Sequence, residues 1–132
     1  MNSLFVDRNK IVEVDFFVGK DKKSNLVASS TEDGFDKSLN VTDIEKHSVK
    51  FRLPSYRDNV EILSMTMKTS SGNLELDPAL LRYERLCALM VNWDLVDEEG
   101  EPVRATRGNI DKLQPEVANA IMEAFEEALE VS

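Results

Sequence analysis

The sequence predicts an α+β domain in which N-terminal β-strands form a small antiparallel sheet and a helical C-terminal half carries two main helices. Two segments in the first half alternate apolar with polar residues, as a strand with one buried face does. Two segments in the second half each begin at a proline and continue without a helix-breaking residue. Because 132 residues of 42% apolar composition suffice for one core, we expect a single domain over residues 1–132.

The strand-rich part is expected to cover residues 1–53. Its first strand is predicted in KIVEVDFFVGK, where the apolar residues of even number face inward. A second strand is predicted in HSVKFRLP, which alternates apolar with basic residues and stops at Pro54. Residues 19–46 between them are rich in Lys, Ser, Asp and Asn, which predicts a mobile loop. That loop has room for one edge strand in NLVAS and a turn at Asp33–Gly34.

The mainly helical part, residues 54–132, is expected to begin with a helix in SYRDNVEILSMTMK. Ser55 and Asp58 stand three residues apart, as in a capping box, where each side chain bonds to the other residue's backbone N–H. The apolar residues after this cap suit either a helix or a strand, and they are Val60, Leu63, Met65 and Met67. The capping pair favours the helix.

The next helix is predicted from Pro78 to Trp93 and is expected to be central. Asp77 can cap it, and proline suits the first helical position because its missing N–H would have no partner there. Apolar residues cover more than half of its circumference, with a wet edge formed by Arg82, Glu84 and Arg85. The last helix is predicted from Pro115 to about Leu129, with an apolar face opposite a face of glutamates.

Acidic residues are concentrated in the second half of the chain. Residues 71–132 hold 14 acidic and 5 basic side chains, residues 1–70 hold 11 of each, and the net charge is −9. Non-specific binding to phosphate backbones depends on clustered Lys and Arg, so we expect no nucleic-acid partner. No run of about 18 apolar residues is present, so we expect no membrane partner either. The single cysteine, Cys87, fits a reducing compartment and a buried small side chain.

The acidic segment WDLVDEEGEPV raises the question of a calcium site. An EF-hand loop needs glycine at its sixth position and glutamate at its twelfth. Counting from Asp94, Gly100 falls seventh and Ala105 twelfth, so the spacing excludes this motif. We predict instead a hairpin-like turn in which Gly100 adopts a positive φ and the acids stay in water, with no metal and no cofactor.

The sequence also lacks the residues that common catalytic sites require. His47 is the only histidine, so a catalytic triad or metal site cannot draw on a second one, and we expect it at the surface near the start of a strand. FFVGKDKKS has one glycine and not the spacing of a phosphate-binding loop. The acids of the last helix lie on a face that water reaches, which is unsuitable for acid–base catalysis. We therefore expect a protein that is not an enzyme.

An acidic surface beside apolar helices favours a protein that works by contacting other proteins. Methionines on predicted helices, Met65, Met67, Met90 and Met122, serve either as core filling or as an adaptable binding surface. We predict an apolar groove between the last two helices, with acid at its rim. The candidate partner-binding residues are Met90, Trp93, Ile121, Phe125, Glu123, Glu126 and Glu127.

Four features stand in a fixed order over about residues 47–130: VKFRLPSYRD, a helix that ends in Trp, WDLVDEEGEPV, and NIDKLQPEVANAIMEAF. This order resembles the tail assembly chaperones of long-tailed bacteriophages, which have an apolar helix running into Trp or Tyr, a DEDGKP-like turn and an LPPEV-like entry to a last helix. The strand-rich first 46 residues depart from the more uniformly helical members. The resemblance implies binding to the tape-measure protein and to tail-tube subunits in the host cytoplasm, and absence from the finished particle.

An alternative is a small structural component of the phage tail, neck or baseplate that remains in the virion tail. It would pair through a strand edge in KIVEVDFFV or SVKFRLP. A third interpretation is a phage inhibitor or adaptor that acts on a host protein through the acidic face. Self-association is a further interaction that the sequence allows.

Overall fold

The computed structural model describes residues 4–7 and 10–131, in which an N-terminal sheet is followed by a mainly helical C-terminal half. The predicted α+β class is confirmed. The elements are β1 (Ile11–Lys20), β2 (Leu26–Ser29), a 3₁₀ helix (Lys37–Leu39), β3 (Thr42–Arg52), α1 (Tyr56–Thr66), β4 (Met67–Ser70), β5 (Asn73–Leu76), α2 (Pro78–Leu89), β6 (Met90–Trp93), α3 (Arg107–Ile110) and α4 (Pro115–Val131).

The main sheet is antiparallel, with the strand order β2-β1-β3-β6. The long central strands β1 and β3 pair from Ile11 opposite Arg52 onwards, which places Val14 opposite Val49 on the buried face. The short strands β2 and β6 lie at the two edges. A separate two-stranded hairpin, β4–β5, turns at Ser71 and Gly72, whose φ angles of 51° and 80° are those of a tight hairpin turn.

The predicted loop over residues 19–46 contains more regular structure than the sequence indicated. The edge strand in NLVAS is present as β2, and the turn at Asp33–Gly34 is closed by a hydrogen bond from the Gly34 N–H to the Thr31 carbonyl oxygen, 3.2 Å. However, β3 begins at Thr42, well before the expected strand. Residues 42–46 have exposed side chains and no apolar alternation, and backbone pairing with β1 makes them a strand.

The helix expected after Pro54 is confirmed as α1. The Ser55 hydroxyl accepts from the Asp58 N–H at 3.2 Å, and the Asp58 carboxylate accepts from the Ser55 N–H at 2.9 Å, so the predicted capping box is complete. The chain leaves the helix at Met67, which begins β4. The helical and the extended pattern seen in this segment are therefore both realised, one after the other, and Met67 does not lie on a helix as predicted.

The central helix is shorter than predicted. Asp77 caps α2 by accepting from the Ala79 and Leu80 N–H groups, but the helix ends at Leu89 instead of Trp93. Residues 90–93 form β6, in which Met90 and Trp93 are buried while Val91 and Asn92 face water. The reason is a tertiary contact. The edge of β3 offers unpaired backbone N–H and C=O groups, and pairing with β6 satisfies the backbone groups of both strands. Met90 and Val91 consequently do not extend the apolar face of the helix.

Helix α4 covers the inner face of the sheet by packing against β1 and β2. Phe125 stacks on Phe51 of β3 with ring centroids 4.0 Å apart and an interplanar angle of 8°. The buried apolar residues around this stack form one core, comprising Val14, Phe16, Val49, Phe51, Leu86, Leu89, Met90, Trp93, Ile110, Val117, Ala120, Ile121, Met122, Ala124 and Phe125. No helix in the described part of the chain is long and apolar enough to cross a membrane.

A two-pronged ion pair fastens α1 to the sheet. The Arg52 guanidinium donates to both carboxylate oxygens of Asp58, at 2.6 and 3.1 Å, and also to the Ala88 carbonyl oxygen at 3.0 Å. Donation from Arg52, with further donation from Ser55, holds the pKa of Asp58 well below its usual range. The same carboxylate therefore caps α1 and ties it to β3 and α2.

We predict that Asp58→Asn lowers the free energy of unfolding by about 1–3 kcal/mol at neutral pH, since hydrogen bonds to a charged group are lost. Because the folded-state pKa of Asp58 is lowered, its stabilisation is complete above the unfolded-state pKa of about 4 and is lost as the pH falls towards the folded-state value. The difference between variant and parent should therefore shrink in acid. Urea titration of both proteins at pH 7 and at about pH 2.5 measures this difference in the free energy of unfolding.

Glu98→Gln is the matched control, because Glu98 is an exposed acid in the turn after β6. It should unfold like the parent at both pH values. An Asp58→Asn variant that is equally destabilised at neutral and acid pH would contradict the role given to the ionised carboxylate.

Candidate partner-binding site

A groove lies between α2 and α4, with α3 at one end, and has a volume of about 450 Å³. Its floor is apolar, because Leu86, Ile110 and Met122 are all nearly fully buried there. Small or partly exposed side chains form the walls: Ala79, Arg82, Tyr83, Asp111, Ala118 and Asn119. The predicted groove between the last two helices therefore exists.

A second depression of about 440 Å³ lies between the same two helices, towards the C-terminal end of α4. Arg82 lines both depressions, and its Nε donates to Glu126 Oε1 at 3.1 Å across the groove. Each side chain of this pair is about 40% exposed. Because half-exposed ion pairs contribute about 0–1 kcal/mol, a ligand can displace this one at small cost. A partner that displaces this pair can therefore contact both depressions, which adjoin at Arg82.

The four apolar residues predicted to contact a partner do not line this groove. Met90, Trp93, Ile121 and Phe125 are buried in the core, and Ile121 and Phe125 have no exposed surface at all. This part of the prediction is corrected, because these side chains face the sheet: Phe125 stacks on Phe51, and Met90 and Trp93 belong to β6. The groove is lined instead by the adjacent face of α4, which carries Ala118 and Met122.

The three predicted glutamates lie on different sides of α4. Glu126 stands in the groove wall beside Glu130. Glu127 lies on a different flank, where it shares a shallow depression with Asp15 and Glu32. Glu123 is exposed on the ridge between them. The acids of the two depressions are therefore Asp111, Glu126 and Glu130, with Arg82 and Arg85 beside the two glutamates, while Glu127 belongs to another surface.

A polar cluster closes the α3 end of the groove. Glu84 is nearly fully buried, and Arg107 donates to both of its carboxylate oxygens at 3.1 and 3.0 Å. The Arg107 guanidinium also lies 5.3 Å from the centre of the Tyr83 ring, and the Tyr83 hydroxyl donates to Asp111. These contacts fix α3 against α2. The prediction that Glu84 lies at a wet edge is therefore wrong.

This cluster is not predicted from the sequence, although one signal in the sequence points to it. Glu84 stands four residues after Leu80 and three before Cys87, so it lies on the face of α2 assigned to apolar residues. A charge on such a face needs a partner of opposite charge, and Arg107 supplies it. Which of the five basic residues of the second half is the partner does not follow from spacing.

The titratable groups of the cluster are held in their neutral or paired forms. Burial raises the pKa of the Cys87 thiol, which disfavours the reactive thiolate. The hydrogen bond to Asp111 raises the pKa of Tyr83, and bonding to Glu84 raises the pKa of Arg107, so Arg107 stays charged. The arrangement can position helices and offer hydrogen bonds to a ligand, and it holds no activated nucleophile.

The acidic segment after β6 forms the predicted turn. Gly100 has a φ of 80°, and its N–H donates to the Asp97 carbonyl oxygen at 3.0 Å. The Asp97 carboxylate accepts from the Glu99 and Glu101 N–H groups at 2.9 and 3.0 Å, so one of its oxygens is occupied within the turn. Below the turn, the Trp93 indole donates to the Val103 carbonyl oxygen at 2.6 Å, which holds the returning chain.

His47 lies inside β3 instead of near its start. Its ring stacks on Phe16 at a centroid distance of 5.5 Å, and Nδ1 lies 3.2 Å from an Asp94 carboxylate oxygen. Glu45 approaches the other ring nitrogen at 3.4 Å. This pairing joins β3 to the segment after β6. Among the residues that the structure describes, no group of three or more His, Cys, Asp or Glu side chains is placed to hold a metal ion.

Comparisons of this chain with models of protein families, with curated proteins and with solved structures gave no match.

We predict that millimolar calcium changes the melting temperature of the protein by less than about 1 °C, because a ligand raises it only by binding the folded state, by an amount that grows with the logarithm of ligand concentration over the dissociation constant. Differential scanning fluorimetry with calcium and with a chelator measures this. A rise of several degrees that the double variant Asp97→Asn/Glu99→Gln abolishes would contradict the assignment of residues 94–101 as a solvated turn.

Proposed function

We propose that this protein is a non-enzymatic chaperone of phage tail assembly, which binds the tape-measure protein and tail-tube subunits in the host cytoplasm. The observation that carries the proposal is the groove between α2 and α4, with its apolar floor and its acid. The order of sequence features that resembles tail assembly chaperones includes both groove helices. The groove gives that resemblance a surface on which a partner can bind.

The shape and charge of the groove suit a helix. The buried floor of Leu86, Ile110 and Met122 between α2 and α4 matches the apolar face of an amphipathic helix. In the second depression Glu126 and Glu130 stand beside Arg82 and Arg85, so this end suits polar or charged residues next to that apolar face. A tape-measure protein, as a long helical molecule, needs its apolar stripes covered before the tail tube encloses it. A soluble acidic protein that covers them one segment at a time meets this need.

We predict that filling the groove weakens the binding of a tape-measure fragment. Ala118 lies in the groove wall and is partly exposed, so Ala118→Trp should occupy the space of the partner side chain without entering the core. We expect the dissociation constant to rise about 10-fold or more. Surface-binding kinetics against an immobilised helical tape-measure fragment measures it, with circular dichroism to confirm the fold.

Ala118→Ser is the matched control at the same position, because it keeps the groove open. It should bind within about 2-fold of the parent, a difference well below 1 kcal/mol. If Ala118→Trp also binds like the parent, the partner does not use this groove.

We further predict that groove charge sets the rate of association. Glu126→Gln/Glu130→Gln should slow association and reduce its dependence on salt, since such charges mainly steer the encounter. Glu32→Gln/Glu127→Gln is the control, with the same change of net charge at residues that line a different depression. Kinetics at about 50 and 300 mM NaCl compare the pairs, and equal effects of both would contradict a site in the groove.

A structural virion component is the second candidate, and one observation favours it. β2 pairs only with Phe17–Lys20 of β1, so within the described residues no strand covers the outer edge of Ile11–Phe16. An open edge of this length can accept a strand from another subunit. Mass spectrometry of purified particles separates the candidates, because a chaperone is absent from the finished virion and a tail, neck or baseplate component is present in it.

A further inference from the structure

A second apolar surface lies on α1 and the β4–β5 hairpin, outside the groove. Tyr56 and Leu74 are 86% and 66% exposed, and further exposed apolar side chains stand beside them, which makes the set informative. We call the surface the α1–hairpin patch, and it consists of Tyr56, Val60, Leu63, Met67, Leu74 and Leu76. None of these residues lines the groove between α2 and α4.

The patch is continuous because of two regular spacings. On α1, Tyr56, Val60 and Leu63 follow the helical repeat along one stripe, whereas Ile62 and Thr66 face the interior. Met67 continues the stripe by one further turn and is also the first residue of β4.

The hairpin register extends the patch from Met67. Met67 pairs with Leu76, and Thr69 pairs with Leu74, so these side chains stand on one face of the hairpin. The helix stripe and the hairpin face therefore meet at Met67 and form one surface.

The patch is large enough to be an interface. Its six residues leave on the order of 600 Å² open to water, at the upper end of apolar patches on monomers and near the roughly 800 Å² that each partner of a standard interface buries. All four residues of β5 are exposed. Because a two-stranded hairpin is marginally stable alone in water, covering its apolar face also stabilises this part of the fold.

The charges around the patch indicate what covers it. Residues 52–76 hold three basic and three acidic side chains, although the whole chain carries −9. Arg57 pairs with Glu61 at 2.9 Å along α1, and Lys68 stands opposite Glu75 in the hairpin register. The segment that carries the patch therefore has no net charge to attract a basic partner, and such a partner is attracted to the acidic second half of the chain. Two copies of an acidic protein approach each other with least repulsion where neither carries net charge.

We propose that two copies of this chain associate through the α1–hairpin patch about a twofold axis. A twofold contact brings the same surface of each copy together, so Arg57 and Glu61 on one α1 can face Glu61 and Arg57 on an antiparallel α1 of the other. The apolar stripe between them is then buried from both sides. The dimer is independent of the proposed function, since the groove between α2 and α4 stays open in both copies.

Sedimentation equilibrium of the full chain from about 1 to 200 µM tests the proposal without any partner protein. The parent should shift with concentration from 14.9 kDa to twice that mass. Leu63→Glu/Leu74→Glu should raise the dimer dissociation constant about 100-fold or more, because it places charge in the centre of the contact. Both residues are exposed, so circular dichroism should be unchanged.

Ile44→Glu/Val96→Glu is the matched control, with two exposed apolar residues outside the patch and the same added charge. It should dimerise like the parent. A parent that stays monomeric over the whole range, or a control variant that is monomeric to the same extent as the patch variant, would overturn the proposal. Loss of tape-measure binding by the patch variant of a monomeric parent would assign the patch to that partner instead.

Discussion

The stacking of Phe125 on Phe51 is the contact on which the rest of the structure depends. It presses α4 against the sheet, with ring centroids 4.0 Å apart, and neither ring has exposed surface. Once α4 is fixed there, its neighbouring face must stand beside α2, and the space between the two helices becomes the groove. The outer face of α4 is left with its glutamates in water. One aromatic contact thus determines the core, the groove and the direction of the acidic face.

Local signals in the sequence predicted local structure well, since each acts over a few residues. The capping box of Ser55 and Asp58, the Asp77 cap and the turn at Gly100 all appear where they were expected. Residues 90–93 were assigned to a helix because nothing in their own sequence breaks one. They form β6 because β3 has a free edge beside them. That edge is a property of the assembled sheet, and no window along the chain contains it.

The groove was predicted from the sequence, but its lining was not. An apolar face at helical spacing marks residues that leave water, and it does not distinguish a side chain in the core from one in a binding groove. Ile121 and Phe125 are predicted to contact a partner, but as large apolar side chains they fill the core. The walls of the groove are instead formed by small or polar residues such as Ala118 and Asn119, which leave the space a partner needs.

Charge separates the two surfaces proposed for contact. The groove between α2 and α4 lies in the half of the chain that carries all of the net negative charge, whereas the α1–hairpin patch lies in a segment with none. Long-range attraction therefore directs a basic partner to the acidic half of the chain, and short-range burial of apolar surface decides what meets at the patch. A dimer formed through the patch would contain two copies of the groove and could present both to one long partner. Two linked sites hold such a partner more tightly than either alone when their spacing matches its repeat.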